Sequence, residues 1–370
     1  MLSPTRAGHQ QSRKAIMDKK IRVGIIGQGR SGRNIHVAAL RRPLMREKFE
    51  IAAVTDLIPE RCNETKAEFP ACTVYPDYKA MLQDKSLELI VNASFSYMHV
   101  PISIEALKAG FHVLSEKPLA GCVADVDAVG AAAKEAGRVF AVFQEARFDS
   151  TFNKVMEICN SGVLGRIVMA RFTRNNFARR WDWQTLREYT GGAFLNTGSH
   201  SLDQALKLFG DVMPDKMLCS IQRVNSFGTA EDHIKLLFTK PGHPTIDYEV
   251  TSCAVFSPPR YQIYGEFGGL TANPGTIEWK YYKPEEAAPQ HLIKEPLPER
   301  KYCSEKLEWF ENSWKDTGSR GADWMGEKLY MNLYDAIRNG APLVVRLEDV
   351  RRQIAIIEEC IKQYENENKK

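Results

Sequence analysis

The chain lacks the cysteine patterns of a metal site or of a disulfide framework. Its eight cysteines are scattered, and none forms a C-x-x-C pair or a Cys/His cluster with the spacing of zinc ligands. We therefore expect reduced thiols in a cytoplasmic protein that binds no metal. Long apolar runs are also missing, since none approaches the roughly 20 residues that cross a bilayer. This argues against a membrane protein.

A strong excess of either charge is missing as well. The formal net charge is +4 over 370 residues, which is too small to indicate a nucleic-acid binder or a protein of the membrane surface. At roughly 100–200 residues per domain, this length predicts two domains with sizeable cores. A small molecule is therefore the expected partner.

The order of strand and helix signals divides the chain into a tail and two regions. Residues 1–20 are polar and basic without the apolar stretch of a secretory signal, and we expect a disordered tail or an extension there. Between 21 and 142, apolar strand segments alternate with helical ones, which predicts a doubly wound parallel sheet. From 143 to 370, several strands follow one another before two closing helices. This order predicts an α/β domain with a large, mostly antiparallel open sheet.

The segment GQGRSG, residues 27–32, directly follows the first strand signal and opens a helix. In this context G-x-G-x-x-G indicates a Rossmann dinucleotide site, in which glycines permit a tight turn, close approach of a pyrophosphate and close helix–strand packing. The helix N-terminus offers free N–H groups to the phosphates. A glycine turn without a ligand is the structural alternative. The expected cofactor-binding residues here are Gly27, Gln28, Gly29, Arg30, Ser31 and Gly32.

An acidic residue ends the second predicted strand. Asp56 comes about 24 residues after Gly32, close to the spacing of roughly 20 in the dinucleotide fingerprint. Its carboxylate can accept hydrogen bonds from ribose hydroxyls and would repel a 2′-phosphate, which favours NAD over NADP. Leu57 follows it in place of an arginine, although the nearby Arg61 leaves NADP open as the alternative.

Glu116, Lys117 and Pro118 follow another predicted strand of the same sheet. Ligands of doubly wound sheets bind beyond the carboxyl ends of the strands, so Lys117 is expected near a bound nicotinamide. Pro118 favours an extended conformation for Lys117. The ammonium could then stabilise a developing alkoxide, and Glu116 could pair with it or contact the nicotinamide ribose. A solvated loop lysine beside a turn proline is the alternative.

The chain resembles the Gfo/Idh/MocA oxidoreductase family, which includes glucose–fructose oxidoreductase and inositol dehydrogenase. The resemblance spans about residues 21–365 and is carried by AGFHVLSEKPLA, RFDSTFNKVMEICNSGVLGRIV, GGAFLNTGSHSLDQALKLFG and YGEFGGL. It implies a dinucleotide-binding domain (21–142) followed by a domain for substrate binding and oligomerisation (143–370). A homodimer or homotetramer is expected on the same ground.

The resemblance also implies roles for individual residues. The EKP lysine of the family corresponds to Lys117 and its active-site histidine to His200, while Asn196 stands where the family often has an aspartate. These three are the expected catalytic residues, and Asn196 and His200 are also expected to bind substrate. The family segment T-P-N-x-x-H, which lines the cofactor, corresponds to Ser94, Phe95, Ser96 and His99. A family arginine near the active site corresponds to Arg147.

His200 taken alone is more typical of a packed or capping residue than of a catalytic one. A neutral histidine suits the removal of a proton from a secondary alcohol. Asn196 carries no charge and can only orient the ring or the substrate hydroxyl. Asp203 lies on the same helical face as His200 and could supply the missing charge.

The segment NNFARRWDWQTLREYTGG just upstream mixes aromatic side chains with arginines. Trp181 and Trp183 could form a stacking platform for a sugar ring. Arg179, Arg180 and Asp182 could hold its hydroxyls. A surface hairpin with packed tryptophans is the alternative. In the preceding region, Gln144 and Glu145 are candidates to face the nicotinamide.

Together these features predict an NAD-dependent oxidoreductase that acts on a secondary hydroxyl of a sugar, glycoside or cyclic polyol. His200 would remove the proton and Lys117 would stabilise the alkoxide. Two other functions remain open. One is a glycosidase-type reaction through a keto-sugar in which NAD is recycled, and the other is an NAD-binding regulator without catalysis.

Overall fold

The computed structural model describes residues 19–300, 302–318 and 321–367. Residues 1–18 of the expected tail lie outside these residues. The described chain forms two sheets. Six strands form the first sheet and eight form the second.

All six strands of the first sheet are parallel, in the order β3-β2-β1-β4-β5-β6. β1 and β4 consist almost wholly of buried residues, as expected for parallel strands covered on both faces. The carboxyl ends of β1, β4, β5 and β6 lie at one edge, where the strand order reverses beside β1. The strands are β1 (Ile21–Ile26), β2 (Phe49–Thr55), β3 (Thr73–Val74), β4 (Leu89–Asn92), β5 (His112–Ser115) and β6 (Phe140–Val142).

Helices cover both faces of this sheet, which confirms the expected doubly wound Rossmann fold. α1 begins with a π-helical segment, Gly32–Val37, and continues as Ala38–Leu40. α5 and α6 contribute to the hydrophobic core on one face, and α1 contributes to the core on the other. The remaining bounds are α2 (Pro43–Lys48), α3 (Arg61–Glu68), α4 (Tyr78–Met81), α5 (His99–Lys108) and α6 (Val123–Ala136).

The second sheet has the order β14-β13-β12-β11-β7-β10-β9-β8. Its neighbours are antiparallel except for the parallel pair of β7 and β10, which confirms the expected large and mostly antiparallel sheet. The strands are β7 (Ile167–Asn175), β8 (Lys216–Gln222), β9 (His233–Thr239), β10 (Thr245–Thr251), β11 (Tyr261–Gly265), β12 (Gly268–Asn273), β13 (Thr276–Tyr281) and β14 (Phe310–Lys315).

Helices pack on one face of the second sheet, where α8 (Gly198–Phe209) lies against β7 and β10. Ten of its twelve residues are buried, so this helix is enclosed on every side. Its apolar residues share one core with β7, β10 and β11. α10 (Leu347–Glu367) packs against α8, and α7 (Ser150–Asn160) packs on β12 and β13.

One helix from late in the chain returns to the first sheet. α9 (Ala322–Asn339) places Leu329, Tyr330 and Leu333 in the same core as β1 and α1. The hydroxyl of Tyr330 lies 2.9 Å from Nδ1 of His36 in α1. The first sheet is therefore covered on that face partly by residues distant in sequence.

Candidate active site

The glycine turn after β1 is tightly enclosed at two of its three glycines. Gly27 has a φ of +90°, and a β-carbon there would overlap the carbonyl oxygen of Ala93. A β-carbon at Gly32 would overlap the carbonyl oxygen of Gly27. Only glycine fits at these positions because the turn and the helix approach each other so closely.

The middle glycine is different because the protein leaves its Cα side open. A β-carbon on Gly29 would meet only Nη1 of Arg61, at 3.8 Å. A glycine that the protein itself does not require indicates that a ligand approaches the backbone at this point, as a pyrophosphate does in the dinucleotide fingerprint. The turn therefore fits a dinucleotide.

Asp56 ends β2 beside this turn. Its Oδ2 accepts from the backbone N–H of Gln28 at 2.6 Å, and its Oδ1 accepts from that of Ile58 at 2.8 Å. Nη1 of Arg61 lies 3.7 Å from Oδ1. A carboxylate has about four lone-pair sites, so Asp56 retains acceptor capacity for ribose hydroxyls.

The other residues of the turn contribute through the backbone or from the surface. The side chain of Gln28 faces the protein, where its Oε1 accepts from Thr65 at 2.7 Å. The side chain of Arg30 is exposed. Ser31 precedes the π-helical segment and makes no capping hydrogen bond with its side chain. The expected contact of Gln28 with a cofactor is therefore limited to its main chain.

The loop after β4 lies beside the glycine turn and also contacts residues that follow β7. His99 is buried, with Nδ1 at 2.7 Å from the carbonyl of Pro118 and Nε2 at 3.2 Å from that of Ser94. Both ring nitrogens thus face the protein, so His99 shapes the loop. Phe95 stands where the family has proline, and its ring makes an edge contact with Trp183 at 4.8 Å.

Glu116 lies beneath the same edge of the sheet and is buried. Its Oε1 lies 3.2 Å from Nε2 of His36, and its Oε2 accepts from the N–H of Lys117 at 3.0 Å. Burial acts to raise the pKa of Glu116, but the hydrogen bond and charge of His36 and the charge of Lys117 lower it overall. Glu116 is therefore an internal counter-charge.

Lys117 follows β5, and its ammonium reaches the second sheet unit. Nζ donates to the backbone oxygen of Asn196 at 3.1 Å and to its Oδ1 at 3.4 Å. Burial lowers the pKa of Lys117, against the opposing charges of Glu116 and Glu145. An ammonium has three N–H donors, so one remains for a substrate oxygen.

Asn196 forms hydrogen bonds with Lys117 and not with His200. Its Nδ2 donates to Oε1 of Gln184 at 3.0 Å, while both of its oxygens accept from Lys117. This arrangement differs from one of the two expected roles of the amide, orientation of the His200 ring, while orientation of the substrate hydroxyl stays a prediction. An amide suits this position because it can donate to Gln184 and accept from Lys117 at once, whereas a carboxylate only accepts.

His200 lies in the first turn of α8 and is 6% exposed. Its Nε2 lies 3.7 Å from Oε1 of Glu145, in the turn after β6. Nδ1 of His200 and Oε2 of Glu145 are buried without a hydrogen-bond partner in the described part of the chain. Buried polar atoms in folded proteins nearly always have partners, so these two atoms mark a place for a ligand or for water.

Burial and nearby cations set the protonation of this pair. Burial lowers the pKa of His200 well below its ordinary value, and the charges of Lys117 and Arg174 act in the same direction. Burial also raises the pKa of Glu145 to about 7. His200 is therefore neutral at pH 7, where Glu145 is only partly ionised.

Two further residues of this region are held by partners within the protein. Asp203 does not supply charge to His200, because its two carboxylate oxygens accept from Nε and Nη2 of Arg147 at 2.7 and 2.6 Å. Arg147 is itself buried, and it also donates to the carbonyl of Val344 at 3.2 Å. Its guanidinium is therefore occupied by the protein instead of being available to a substrate.

The two tryptophans do not form one stacking platform. Trp181 is 78% exposed and makes an edge contact with Phe227, whereas Trp183 packs on Phe95. Arg180 is held by Asp182 through two hydrogen bonds, at 2.9 and 2.7 Å. Trp183 agrees with the alternative of a packed tryptophan, whereas Trp181 is largely exposed.

Arg174 is a site residue that the sequence analysis missed. It shares the inner face of β7 with the buried Ala170 and Phe172, and its charge acts on Lys117, Glu145 and His200. A charged residue in register with two apolar ones is the signal that could have identified it, since alternate residues of a strand share a face.

Comparisons with known proteins agree with this geometry. Residues 21–144 match the family described as "Oxidoreductase family, NAD-binding Rossmann fold", and residues 157–369 match its "C-terminal alpha/beta domain". The chain belongs to the Gfo/Idh/MocA oxidoreductase family. The resemblance noted from the sequence motifs is thus confirmed, as is the nicotinamide-type cofactor of the first domain.

Relatives of this oxidoreductase include enzymes of polyols and glycosides. It is 25% identical to the scyllo-inositol 2-dehydrogenase (NADP(+)) of Bacillus subtilis, over 91% of this chain and 92% of the relative. It is 28% identical to the D-glucoside 3-dehydrogenase of Escherichia coli, over 54% and 56%. An oxidoreductase from Thermotoga maritima shares the fold, with a TM-score of 0.75, 19% identity, and coverage of 93% and 96%.

Two features are absent from the described residues. None of their helices is long and apolar enough to cross a membrane. Among the same residues, no group of three or more His, Cys, Asp and Glu side chains is arranged to hold a metal ion.

Substitution of the turn glycines separates the needs of the fold from those of the cofactor. Gly29→Ala should leave the melting temperature without cofactor nearly unchanged but weaken NADH binding at least about tenfold, because the methyl group enters the space of the pyrophosphate. Gly32→Ala should lower both the melting temperature and the affinity for NADH, since its methyl group overlaps Gly27. Thermal melts and NADH fluorescence titrations measure the two effects. Unchanged NADH affinity in Gly29→Ala would contradict this view of the turn.

Proposed function

We propose that this oxidoreductase uses NAD to oxidise, or NADH to form, a secondary hydroxyl of a sugar, glycoside or cyclic polyol. One observation supports it most directly. Lys117, which has a spare N–H, follows a strand of the parallel sheet at its carboxyl edge, and its charge lowers the pKa of the neutral His200, beside a turn that fits a dinucleotide. The polyol and glucoside dehydrogenases among the relatives support this substrate class.

The cofactor would be held by the glycine turn and by Asp56. When bound, a nicotinamide dinucleotide supplies the hydride acceptor for oxidation and the hydride donor for reduction. NAD is the preferred form in our proposal because the Asp56 carboxylate would repel a 2′-phosphate. Arg61, 3.7 Å from that carboxylate, is the residue that would favour NADP instead.

Lys117 binds the reacting oxygen through its remaining N–H. Its position is maintained by the two oxygens of Asn196, which are neutral acceptors and leave the ammonium charge uncompensated in that direction. A partly buried cation acts strongly on a developing alkoxide, because little water is present to screen it. The lowered pKa of Lys117 also strengthens it as a proton donor.

His200 takes up the hydroxyl proton. Its low pKa keeps the ring neutral and ready to accept, but the same burial makes the imidazolium costly. Glu145 offsets that cost when it is ionised, since its Oε1 lies 3.7 Å from Nε2 of the ring. Glu145 therefore has the role of an aspartate that the family often carries at the position of Asn196.

The proposal is tested by offering sugars, inositols and glycosides together with NAD or NADP. Absorbance of the reduced nicotinamide should rise with time, and mass spectrometry should find a product two mass units lighter than the substrate. Faster reduction of NAD than of NADP is expected. Release of an aglycone without accumulation of reduced cofactor would instead indicate the glycosidase-type cycle.

Removal of the Lys117 ammonium should lower the turnover rate more than the affinity for NAD. Lys117→Ala should lower kcat by about 100- to 1000-fold, the usual loss when one donor to a developing oxyanion is removed, while NAD affinity changes little. Steady-state kinetics and a binding titration check this expectation. Lys108→Ala, an exposed lysine on α5, is the control. A comparable loss of NAD affinity would contradict this expectation and indicate that Lys117 acts mainly by binding the cofactor.

The ionisation of Glu145 should appear in the pH profile. Its carboxyl loses a proton as the pH rises through about 7, so the oxidation rate should rise through that range. Glu145→Gln keeps the size of the side chain but cannot ionise. We expect it to lower kcat about 10- to 100-fold and to remove the limb near pH 7.

Glu135→Gln on α6, an exposed position, controls for the loss of a carboxylate as such. Rates are measured in the direction of oxidation from pH 5.5 to about 9 for both variants. Persistence of the limb near pH 7 in Glu145→Gln would show that another group is responsible for it.

A further inference from the structure

A cavity of about 320 Å³ opens at the end of β7, beside the residues that hold Lys117. Its size is within the range of small-molecule sites, about 300–1,000 Å³. Gln184 lines it and accepts from Asn196, which in turn accepts from Lys117. Arg174 lines it too, and its charge acts on Lys117 and His200. The cavity therefore adjoins the reacting groups.

The acidic groups of this cavity already have partners within the protein. Glu231 accepts from Arg187 at 3.0 Å and from the N–H of Phe194 at 3.2 Å. Asp232 accepts from three successive backbone N–H groups at 2.6–2.7 Å, those of Val224, Asn225 and Ser226.

A basic group of the cavity is occupied in the same way. Arg180 is paired with Asp182 and also donates to Gln184. None of these three charged residues is left to meet a ligand with its full charge.

Arg174 is the exception. Within the described residues, its guanidinium makes no hydrogen bond and no ion pair at 4.0 Å or less. Arg260, a second cation whose charge acts on His200, likewise has no carboxylate partner there and contacts the ring of Tyr261. A guanidinium is always charged and offers a planar fork of donors that matches a carboxylate.

The carboxyl groups packed around these cations do not neutralise them. Glu116 is engaged with His36 and the N–H of Lys117. Glu145 forms no ion pair with Arg174, and with a pKa of about 7 it is only partly ionised at neutral pH. The region around His200 therefore has an excess of positive charge.

We propose that the substrate is a sugar acid whose carboxylate binds Arg174 while its ring hydroxyl meets Lys117 and His200. This rests on the proposed function, which it narrows from sugars in general to uronates. The planar fork of the Arg174 guanidinium matches the two oxygens of a carboxylate.

Matched pairs of ligands test this inference. D-glucuronate and D-galacturonate are compared with D-glucose and D-galactose, by calorimetry with and without NADH and by kcat/KM with NAD and NADP. The uronates should bind about 10- to 100-fold more tightly, the usual worth of hydrogen bonds to a charged group. Raising the salt concentration should reduce that preference.

Variants then assign the preference to a residue. Arg174→Met should abolish the ratio of uronate to hexose affinity, and Arg174→Lys, which keeps the charge, should retain part of it. Arg166→Met, an arginine before the other end of β7 that is 70% exposed, should keep the full ratio. Thermal melts confirm that each variant is folded.

The outcomes separate this inference from the proposed function. Equal affinity for uronates and hexoses, absence of uronate binding, or a preference that survives in Arg174→Met would overturn the inference. Reduction of NAD by neutral hexoses without preference for uronates would overturn it and leave the dehydrogenase proposal standing. Tight uronate binding through Arg174 without any cofactor reduction would support the inference and contradict the proposed reaction.

Discussion

The contact of Lys117 with Asn196 is the interaction on which the geometry of the site depends. It joins the carboxyl edge of the parallel sheet to the residues that lead into α8. A partly buried ammonium requires acceptors, and the backbone and amide oxygens of Asn196 supply two. Because Asn196 also donates to Gln184, the same residue ties Lys117 to the wall of the adjoining cavity.

The electrostatics of the site follow from which charges are paired and which are not. Glu116, Asp203, Glu231 and Asp232 are all occupied by internal partners, so they shape the protein and do not meet a ligand with full charge. Glu145 is left as the carboxyl group nearest the His200 ring among the described contacts. In this chain the carboxyl group beside the histidine thus comes from the turn after β6 and not from the segment before α8.

Several features could be predicted from the sequence because their causes are local. The alternation of buried strands with helices indicates the parallel sheet, and the glycine turn depends on φ at Gly27 and on a close approach at Gly32, both of which need glycine. Lys117 was expected at the sheet edge because every parallel strand ends there. Each of these inferences needs only the neighbours of a residue in the chain.

Other features depended on contacts between distant segments. His200 and Asp203 share a helix, yet Arg147, more than fifty positions away, decides that Asp203 is unavailable. Asn196 is turned toward Lys117, which is separated from it by 79 positions. Spacing along a helix indicates which side chains share a face but not which partner from another element reaches them first.

The sequence by itself therefore determined the fold class, the dinucleotide turn and the presence of a lysine and a histidine suited to hydride chemistry. The tertiary structure decided the partners of these groups: which carboxyl group lies beside His200, which partner holds Arg147, and which tryptophan packs on Phe95. The physical reason is that hydrogen bonds and charges act over a few ångströms in space. Their partners are set by how the two sheets and α8 are packed, and sequence distance does not record that packing.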